Sequence, residues 1–149
     1  MANKITGLIN DKLRQDYATM SGTAMHARMQ HIFFDKAGCA TGDADIADRI
    51  AQNKELVEYM GPLSRTEVPI AGYLDGRFLS RRIDRLYINH NTKTIVVIDY
   101  KTDIDKERFY QKYIEQLAEY RRLLADVYPG YSVACKILWT NDFTLENVI

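Results

Sequence analysis

The sequence predicts a mixed α/β domain in which a central sheet carries helices on both faces. The apolar residues follow a helical period up to about residue 60 and a β-type pattern after Gly61-Pro62. From there the elements read β-β-β-α-β, and a meander followed by a helical crossover gives a mixed sheet. The length of 149 residues fits one domain. We therefore expect a single domain over 1–149, with a helical part at 1–60 and a sheet-and-helix part at 64–140.

The N-terminal part is predicted to be helical. Ser21 or Thr23 can cap a first helix that runs to about Phe34, because a hydroxyl satisfies a free amide of the first turn. Two glycines mark Lys36–Asp43 as a loop. Asp45–Tyr59 is expected to form one or two further helices with its apolar side chains turned inward.

Three strands are predicted after this helical part. Arg65–Ala71 and Arg77–Ile88 flank Asp75-Gly76, a dipeptide typical of tight hairpin turns. The segment Thr94–Lys101 reads TIVVIDYK. Its run of apolar β-formers indicates a central strand that is covered on both faces.

The clearest helix spans Lys106–Tyr128, where apolar and aromatic side chains recur at intervals of three and four. Pro129-Gly130 ends this helix. Val133–Thr140 is predicted to be a buried strand and Phe143–Ile149 an additional edge strand. The sheet is therefore expected to contain four to five strands.

The composition excludes several classes of protein. Lys and Arg total 20, as do Asp and Glu, which excludes histone-like binding of nucleic acid through bulk positive charge but not a local basic groove. Cys39 and Cys135 are too few for a disulfide scaffold or a four-cysteine zinc or iron–sulfur site. The sequence has no apolar run of about 20 residues and no signal-peptide core. We expect a cytoplasmic protein with reduced thiols and no membrane association.

Charged residues stand where the pattern predicts a core. Asp99 ends the apolar run of the central strand, and alternation places Lys101 on the same face. Asp84 lies between Ile83 and Leu86 on the strand expected to pair with it. Two adjacent carboxylates repel each other unless a proton or a cation lies between them, and Mg²⁺ prefers such oxygen ligands. The alternative is a solvated strand end.

Four further residues are candidates for the same site. His26 lies in line with an apolar helix stripe and is either a packed side chain or a metal ligand. Glu67 is either an outward-facing strand residue or a further carboxylate of the site. Gln116 and Tyr120 share one face of the long helix. Tyr120 fits core packing, and Gln116 can hydrogen-bond a phosphate or the strand that carries the carboxylates.

Basic residues cluster locally although the net charge is zero. Arg77, Arg81, Arg82 and Arg85 lie on one predicted strand, and the chain contains 10 tyrosines. Arginine and tyrosine together suit a groove that follows a phosphate backbone and stacks bases. The alternative is a solvated charged face over core tyrosines.

The motifs resemble those of the RecB-type branch of the PD-(D/E)xK nucleases, and most closely those of the C-terminal nuclease domain of AddA-type helicase–nucleases. The resemblance runs from about residue 22 to residue 140. It is carried by Gly22-x-x-x-His26, Glu67-Val68-Pro69, Arg82-Ile83-Asp84-Arg85-Leu86, Ile98-Asp99-Tyr100-Lys101-Thr102, Gln116-Leu117-Ala118-x-Tyr120 and Tyr128-Pro129-Gly130 with Leu138-Trp139-Thr140.

The resemblance implies a restriction-endonuclease-like αβββαβ core and a metal site. Asp84 and Asp99 are then ligands of Mg²⁺ or Mn²⁺, with His26 and the main-chain carbonyl of Tyr100 as further ligands. Lys101 is expected to orient or activate the attacking water and to stabilise the charge of the transition state.

The same resemblance assigns Gln116 and Tyr120 to the family's QxxxY element beside the site, and Glu67 to a recurrent acidic position. Arg81 stands where the family usually has a glycine, so it either narrows the DNA path or adds a phosphate contact. Arg82 and Arg85 are further candidates for contacts with nucleic acid.

The function expected from these observations is metal-dependent cleavage of DNA, of the exonuclease type, in end processing during recombination and double-strand-break repair. The chain has no G-x-x-x-x-G-K-[ST] motif, so a helicase motor would belong to a partner subunit or domain. One alternative is a nuclease-like module that binds DNA or a helicase without cutting. Another is hydrolysis of a different phosphate ester.

Overall fold

The computed structural model describes residues 24–102 and 106–149. Its helices are α1 (24–29), α2 (Ala44–Ala51), α3 (Lys54–Tyr59) and α4 (Lys106–Val127). Its strands are β1 (Phe33–Phe34), β2 (Ala40–Thr41), β3 (Ser64–Leu74), β4 (Arg77–Asn89), β5 (Thr94–Lys101), β6 (Ser132–Trp139) and β7 (Thr144–Asn147).

The main sheet has five strands in the order β3-β4-β5-β6-β7. Neighbouring strands are antiparallel except β5 and β6, which are parallel and joined by the crossover helix α4. The turn between β3 and β4 places Asp75 at φ 54° and Gly76 at φ 77°, as the predicted tight hairpin turn requires. The predictions of a mixed sheet, of this hairpin and of the central strand β5 are confirmed.

The sheet separates two hydrophobic clusters. On β5, Ile95 and Val97 pack on one face against the cluster that contains α4. Val96 and Ile98 pack on the other face against the cluster that contains α1, α2 and α3. Helices therefore cover both faces of the sheet, and β5 is buried on both, which explains its continuous apolar sequence.

The N-terminal part differs from the prediction in two places. The first helix ends at residue 29 rather than near Phe34, because Phe33–Phe34 forms a strand that pairs with Ala40–Thr41 inside the predicted loop. Its proposed caps, Ser21 and Thr23, lie outside the described residues. The prediction of further helices is confirmed by α2 and α3, whose first turns are capped by Asp43 and Asn53.

The β3–β4 hairpin extends beyond the rest of the sheet. β4 pairs with β5 only across Arg85–Asn89, whereas Arg77–Asp84 pairs with β3. We call residues 67–74 and 77–84 the arm. Helix α4 packs closely on one face of the arm, since a Cβ atom added at Gly72 would lie 2.8 Å from Leu123 Cδ2.

The alternation of side chains inverts where the arm begins. Ile83 and Leu86 both face the α4 cluster, although they are three residues apart on one strand. On β3 the ladder skips Glu67, which adopts φ 54°. The register places Glu67 opposite Asp84, so the inversion on both strands occurs at these two acidic residues.

The two cysteines are free. Cys39 is exposed, whereas Cys135 is buried in the α4 cluster, and this burial raises the pKa of its thiol to about 12. In the part of the chain that the structure describes, no helix is both long enough and apolar enough to cross a membrane.

Candidate functional site

Asp84 and Asp99 meet at the point where β4 separates from β5. The last hydrogen-bonded pair of the two strands is Arg85 with Ile98. Asp84 and Asp99 are the next residue on each strand beyond this pair. Asp84 and Asp99 are 8% and 3% exposed. Asp84 Oδ2 accepts a hydrogen bond of 2.9 Å from the main-chain N–H of Tyr100. The structure therefore brings the predicted carboxylate pair together inside the protein rather than at a solvated strand end.

The two carboxyl groups are coupled electrostatically. Burial raises the pKa of Asp84 well above its ordinary value, and the charge of Asp99 and a hydrogen bond between the two carboxyl groups raise it further. The N–H of Tyr100 and the ammonium of Lys101 lower this pKa without offsetting the increase. The pair therefore retains a proton that a divalent cation could replace.

Lys101 lies beside this pair, on the face that alternation predicts. Its Nζ is 3.0 Å from Asp99 Oδ2 and 4.5 Å from the centre of the Tyr113 ring. Burial lowers the pKa of Lys101, but the charge of Asp99 outweighs this effect, so the net shift is upward and the amine stays an ammonium. The contact with Asp99 is an ion pair, and Oδ2 has no other polar partner among the described residues.

His26 reaches the site from α1. Its Nε2 lies 2.9 Å from the carbonyl oxygen of Tyr100, and its Nδ1 lies 3.5 Å from Asp84 Oδ1. Because a carbonyl only accepts hydrogen bonds, Nε2 carries the proton of this contact and Nδ1 faces the carboxyl group. His26 is thus placed against the acidic pair and the Tyr100 carbonyl, rather than packed only within the apolar stripe of its helix.

Gln116 and Tyr120 tie α4 to the strand that carries Asp84. Gln116 Nε2 donates a hydrogen bond of 2.9 Å to the hydroxyl of Tyr120, which donates one of 3.2 Å to the carbonyl of Arg82. Tyr120 is buried in the α4 cluster. The predicted core packing of this tyrosine is confirmed, and its hydroxyl contacts the strand two residues before Asp84.

Glu67 and the exposed arginines lie on β3 and β4 close to Asp84. Glu67 is half-buried opposite Asp84, and its carboxylate forms an ion pair of 3.7 Å with Arg82. Arg81 is paired with Glu119 on α4 at 3.6 Å. Arg81 and Arg82 are exposed, so both remain candidates for contacts with nucleic acid.

The prediction that Arg85 contacts nucleic acid is wrong, because its side chain is completely buried. Its guanidinium donates hydrogen bonds of 2.7–3.0 Å to two hydroxyls and two main-chain carbonyls, namely those of Tyr100, Ser64, Met29 and Ile32. It therefore fixes the end of α1 to the sheet and holds the helix that carries His26.

Sequence reasoning missed this role of Arg85, although a signal was present. Residues 83–87 read IDRLY. Apolar residues occupy both odd and even positions of this run, so they would point to both faces of the sheet. Both faces of such a strand are covered, as for β5, so an arginine inside the run is predicted to be buried. Tyr113, whose ring lies beside Lys101, is a further neighbour of the site that the helical spacing predicts only as a core residue.

The donor set fits a hard divalent cation. Two carboxylates, one main-chain carbonyl and one imidazole suit Mg²⁺ or Mn²⁺, and the buried Asp99 Oδ2 without a hydrogen bond is an unsatisfied oxygen that a cation would satisfy. Across 24–102 and 106–149, no three His, Cys, Asp or Glu side chains already form a metal-binding group. The carboxyl and imidazole groups contact each other and Tyr100 instead.

No protein-family model matches the sequence, and no curated protein is significantly similar to it.

Proposed function

We propose that this protein is a metal-dependent deoxyribonuclease that hydrolyses phosphodiester bonds of DNA. The observation that carries the proposal is the buried pair of Asp84 and Asp99 with the ammonium of Lys101 beside it. The order β3-β4-β5-α4-β6, with α1 against the sheet, supports a restriction-endonuclease-like core. The motif resemblance supports the same assignment.

Different groups of the chain would have different roles in such a reaction. Asp84, Asp99, His26 and the Tyr100 carbonyl would hold Mg²⁺ or Mn²⁺. A bound cation lowers the pKa of its water and polarises the phosphoryl oxygen. Lys101 is charged at neutral pH, so it is suited to orient the attacking water through its N–H groups and to stabilise negative charge on the phosphate.

The supporting residues keep this geometry fixed. Gln116 and Tyr120 act as positioning residues, because their hydrogen bonds end on the main chain of β4 at Arg82. Glu67 lies opposite Asp84, where its negative charge faces Arg82. Arg81 and Arg82, the exposed arginines on β4 nearest Asp84, give few phosphate contacts on a chain of zero net charge, which favours delivery of DNA by a partner.

End processing in recombination and double-strand-break repair, in the exonuclease manner and beside a helicase motor, is the biological setting that the resemblance supports. A module that binds DNA or a helicase without cutting is the second candidate, and the zero net charge favours it. It does not account for a buried carboxylate pair with an unsatisfied oxygen, because such a pair costs free energy and gives no benefit to a domain that only binds.

The deciding experiment is a cleavage assay on end-labelled single- and double-stranded DNA with Mg²⁺, Mn²⁺ or EDTA. We expect metal-dependent cutting that Lys101→Ala and Asp99→Ala abolish. Lys93→Ala, in an exposed turn outside the site, is the matched control and should cut normally. Full activity in either site variant would refute the site. A folded wild-type protein that cuts nothing would favour the non-cleaving module.

Calorimetry with Mn²⁺ tests the metal ligands separately. Asp84→Asn should weaken binding, because one carboxylate charge is removed from the ligand set. His26→Ala should weaken it less, since a neutral ligand is lost. Unchanged affinity in Asp84→Asn would remove this residue from the ligand set.

A further inference from the structure

We propose that the arm carries a second contact site for nucleic acid, at which Tyr73 and Phe78 stack on unpaired bases. The choice of ligand rests on the proposed function, but the site itself lies outside the candidate metal centre. It is formed by the face of the arm that is turned away from α4.

The two faces of the arm differ in burial. Ile70, Leu74, Leu79 and Ile83 face α4 and belong to the core. The opposite face consists of three cross-strand pairs, each with both members exposed, namely Pro69 with Arg82, Ala71 with Ser80 and Tyr73 with Phe78. Four of these six side chains are apolar or aromatic, whereas a solvated sheet face would be mostly polar.

The aromatic pair is the most exposed part of this face. Tyr73 is 71% exposed and Phe78 is 56% exposed. Their ring centroids are 5.3 Å apart, with the planes inclined by 60°. Because the two rings meet edge to face, ring surface stays open to solvent and can stack on a planar partner.

The face leads from the aromatic pair to the candidate metal centre. Phe78 is six positions before Asp84 on the same strand, which corresponds to about 20 Å. Arg82 lies between them on the open face, with 69% of its side chain exposed.

The surroundings favour bases over a protein partner. Next to the two rings the face has only small side chains, Ala71 and Ser80, with Pro69 beyond them. A protein-docking surface has a core of several large apolar side chains, whereas sequence-independent binding of single strands combines ring surfaces with a cation along the path. The open face has two ring surfaces and the cation of Arg82, so its composition is that of a single-strand binding site.

Fluorescence anisotropy with a labelled oligothymidylate of about 20 nucleotides tests the site in EDTA, so that no cleavage occurs. The double variant Tyr73→Ala/Phe78→Ala should lose about tenfold or more in affinity, because stacking contributes substantially per base. The exchange Tyr73→Phe/Phe78→Tyr keeps both rings and should bind like the wild type. An abasic oligomer of the same length should bind the wild type and the alanine variant equally.

Each other outcome overturns the inference. Unchanged binding by the alanine variant would show that the rings are not used, and equal loss on the abasic oligomer would show that no base is stacked. Wild-type protein that binds no oligomer would exclude the site. If the alanine variant instead loses self-association at unchanged oligomer binding, the face docks protein. The alanine variant could lose base-dependent binding although the wild-type protein cleaves no DNA. That result would support this inference and refute the proposed function.

Discussion

Two buried charged residues, Asp84 and Arg85, are neighbours in the sequence and lie in opposite electrostatic situations. Arg85 points into the α1-side cluster, where its guanidinium donates to four oxygen atoms and lies over the ring of Phe33. Asp84 turns to a second carboxylate, and the pKa of Asp84 is raised by burial and by this like charge.

The difference separates a structural charge from one that is available for chemistry. A buried ion whose hydrogen-bonding groups are satisfied holds elements in place, as Arg85 holds α1 on the sheet. A buried carboxylate pair with an unsatisfied oxygen destabilises the fold until a proton or a cation joins it. The same strand thus carries one residue that stabilises the fold and one that reduces its stability.

The largest effect is expected for Asp84→Asn, which should remove activity and stabilise the metal-free protein. Loss of one charged ligand should lower the cleavage rate by about 10²-fold or more. Unfolding in urea with EDTA should show a gain of about 1–4 kcal/mol at pH 7, because an amide at this position removes the cost of taking up a proton on Asp84 when the chain folds.

The pH dependence of this gain follows from the direction of the shift. The pKa of Asp84 is higher in the folded than in the unfolded protein, so the folded state binds more protons between the two values. Wild-type stability in EDTA should therefore fall as the pH rises from about 4, and Asp84→Asn should reduce this slope. A variant that is less stable than the wild type at pH 7 would contradict the comparison.

Arg85→Met should change stability in the opposite direction from Asp84→Asn, with a loss of about 4 kcal/mol in unfolding free energy. Methionine fills similar volume, but four oxygens lose the hydrogen bond that the guanidinium donates. The Met29 carbonyl keeps the hydrogen bond from the N–H of Ile32, and each group left unsatisfied costs about 1–3 kcal/mol. Urea denaturation measures this loss, and Arg81→Met on the exposed surface is the control. An equally stable Arg85→Met protein would show that the cation is not structural.

Tyr100→Phe should test whether the hydrogen bonds of Arg85 are independent of the candidate metal ligands, with a smaller change in stability. The hydroxyl accepts a hydrogen bond of 2.7 Å from Arg85 Nε, whereas the N–H and carbonyl of the same residue contact Asp84 and His26. We expect a loss of about 2 kcal/mol in stability with little change in Mn²⁺ affinity. A large loss of affinity at unchanged stability would instead assign the hydroxyl to the metal centre.

Glu67 offers the smallest and most local test, since it lies at φ 54° opposite Asp84. This left-handed conformation favours glycine over other residues. Glu67→Gly should be more stable than Glu67→Ala by about 1 kcal/mol. Equal stabilities of the two variants would mean that the inversion of the strands stores no backbone strain. Both variants remove the ion pair with Arg82, which matters little at the surface.

Much of the fold follows from local pattern. The bounds of β5 agree with the prediction residue for residue, and α4 differs by one residue at its end, because a buried strand and a long amphipathic helix carry strong periodic signals. The Asp75-Gly76 turn is similarly determined by backbone preference. The pairing of Asp84 with Asp99 follows from the register of the hairpin that connects β4 to β5.

The parts that could not be predicted depend on contacts between distant residues. The end of α1 is set by Arg85, which lies more than 50 positions away and takes the carbonyls of Met29 and Ile32. The inversion at Glu67 and Asp84 breaks the two-residue period on which the face assignments relied. Strict alternation therefore fails at the acidic positions of the candidate site.

The position of His26 on α1 makes the candidate metal centre depend on a small cooperative unit. The main-chain N–H of Gln30 donates to the carbonyl of His26, so its exchange with solvent deuterium reports on the opening of this helical turn. Opening would withdraw the imidazole and leave the two carboxylates on the sheet. By mass action, a cation held through His26 would slow that exchange in proportion to its binding, which makes a single amide a sensor of occupancy.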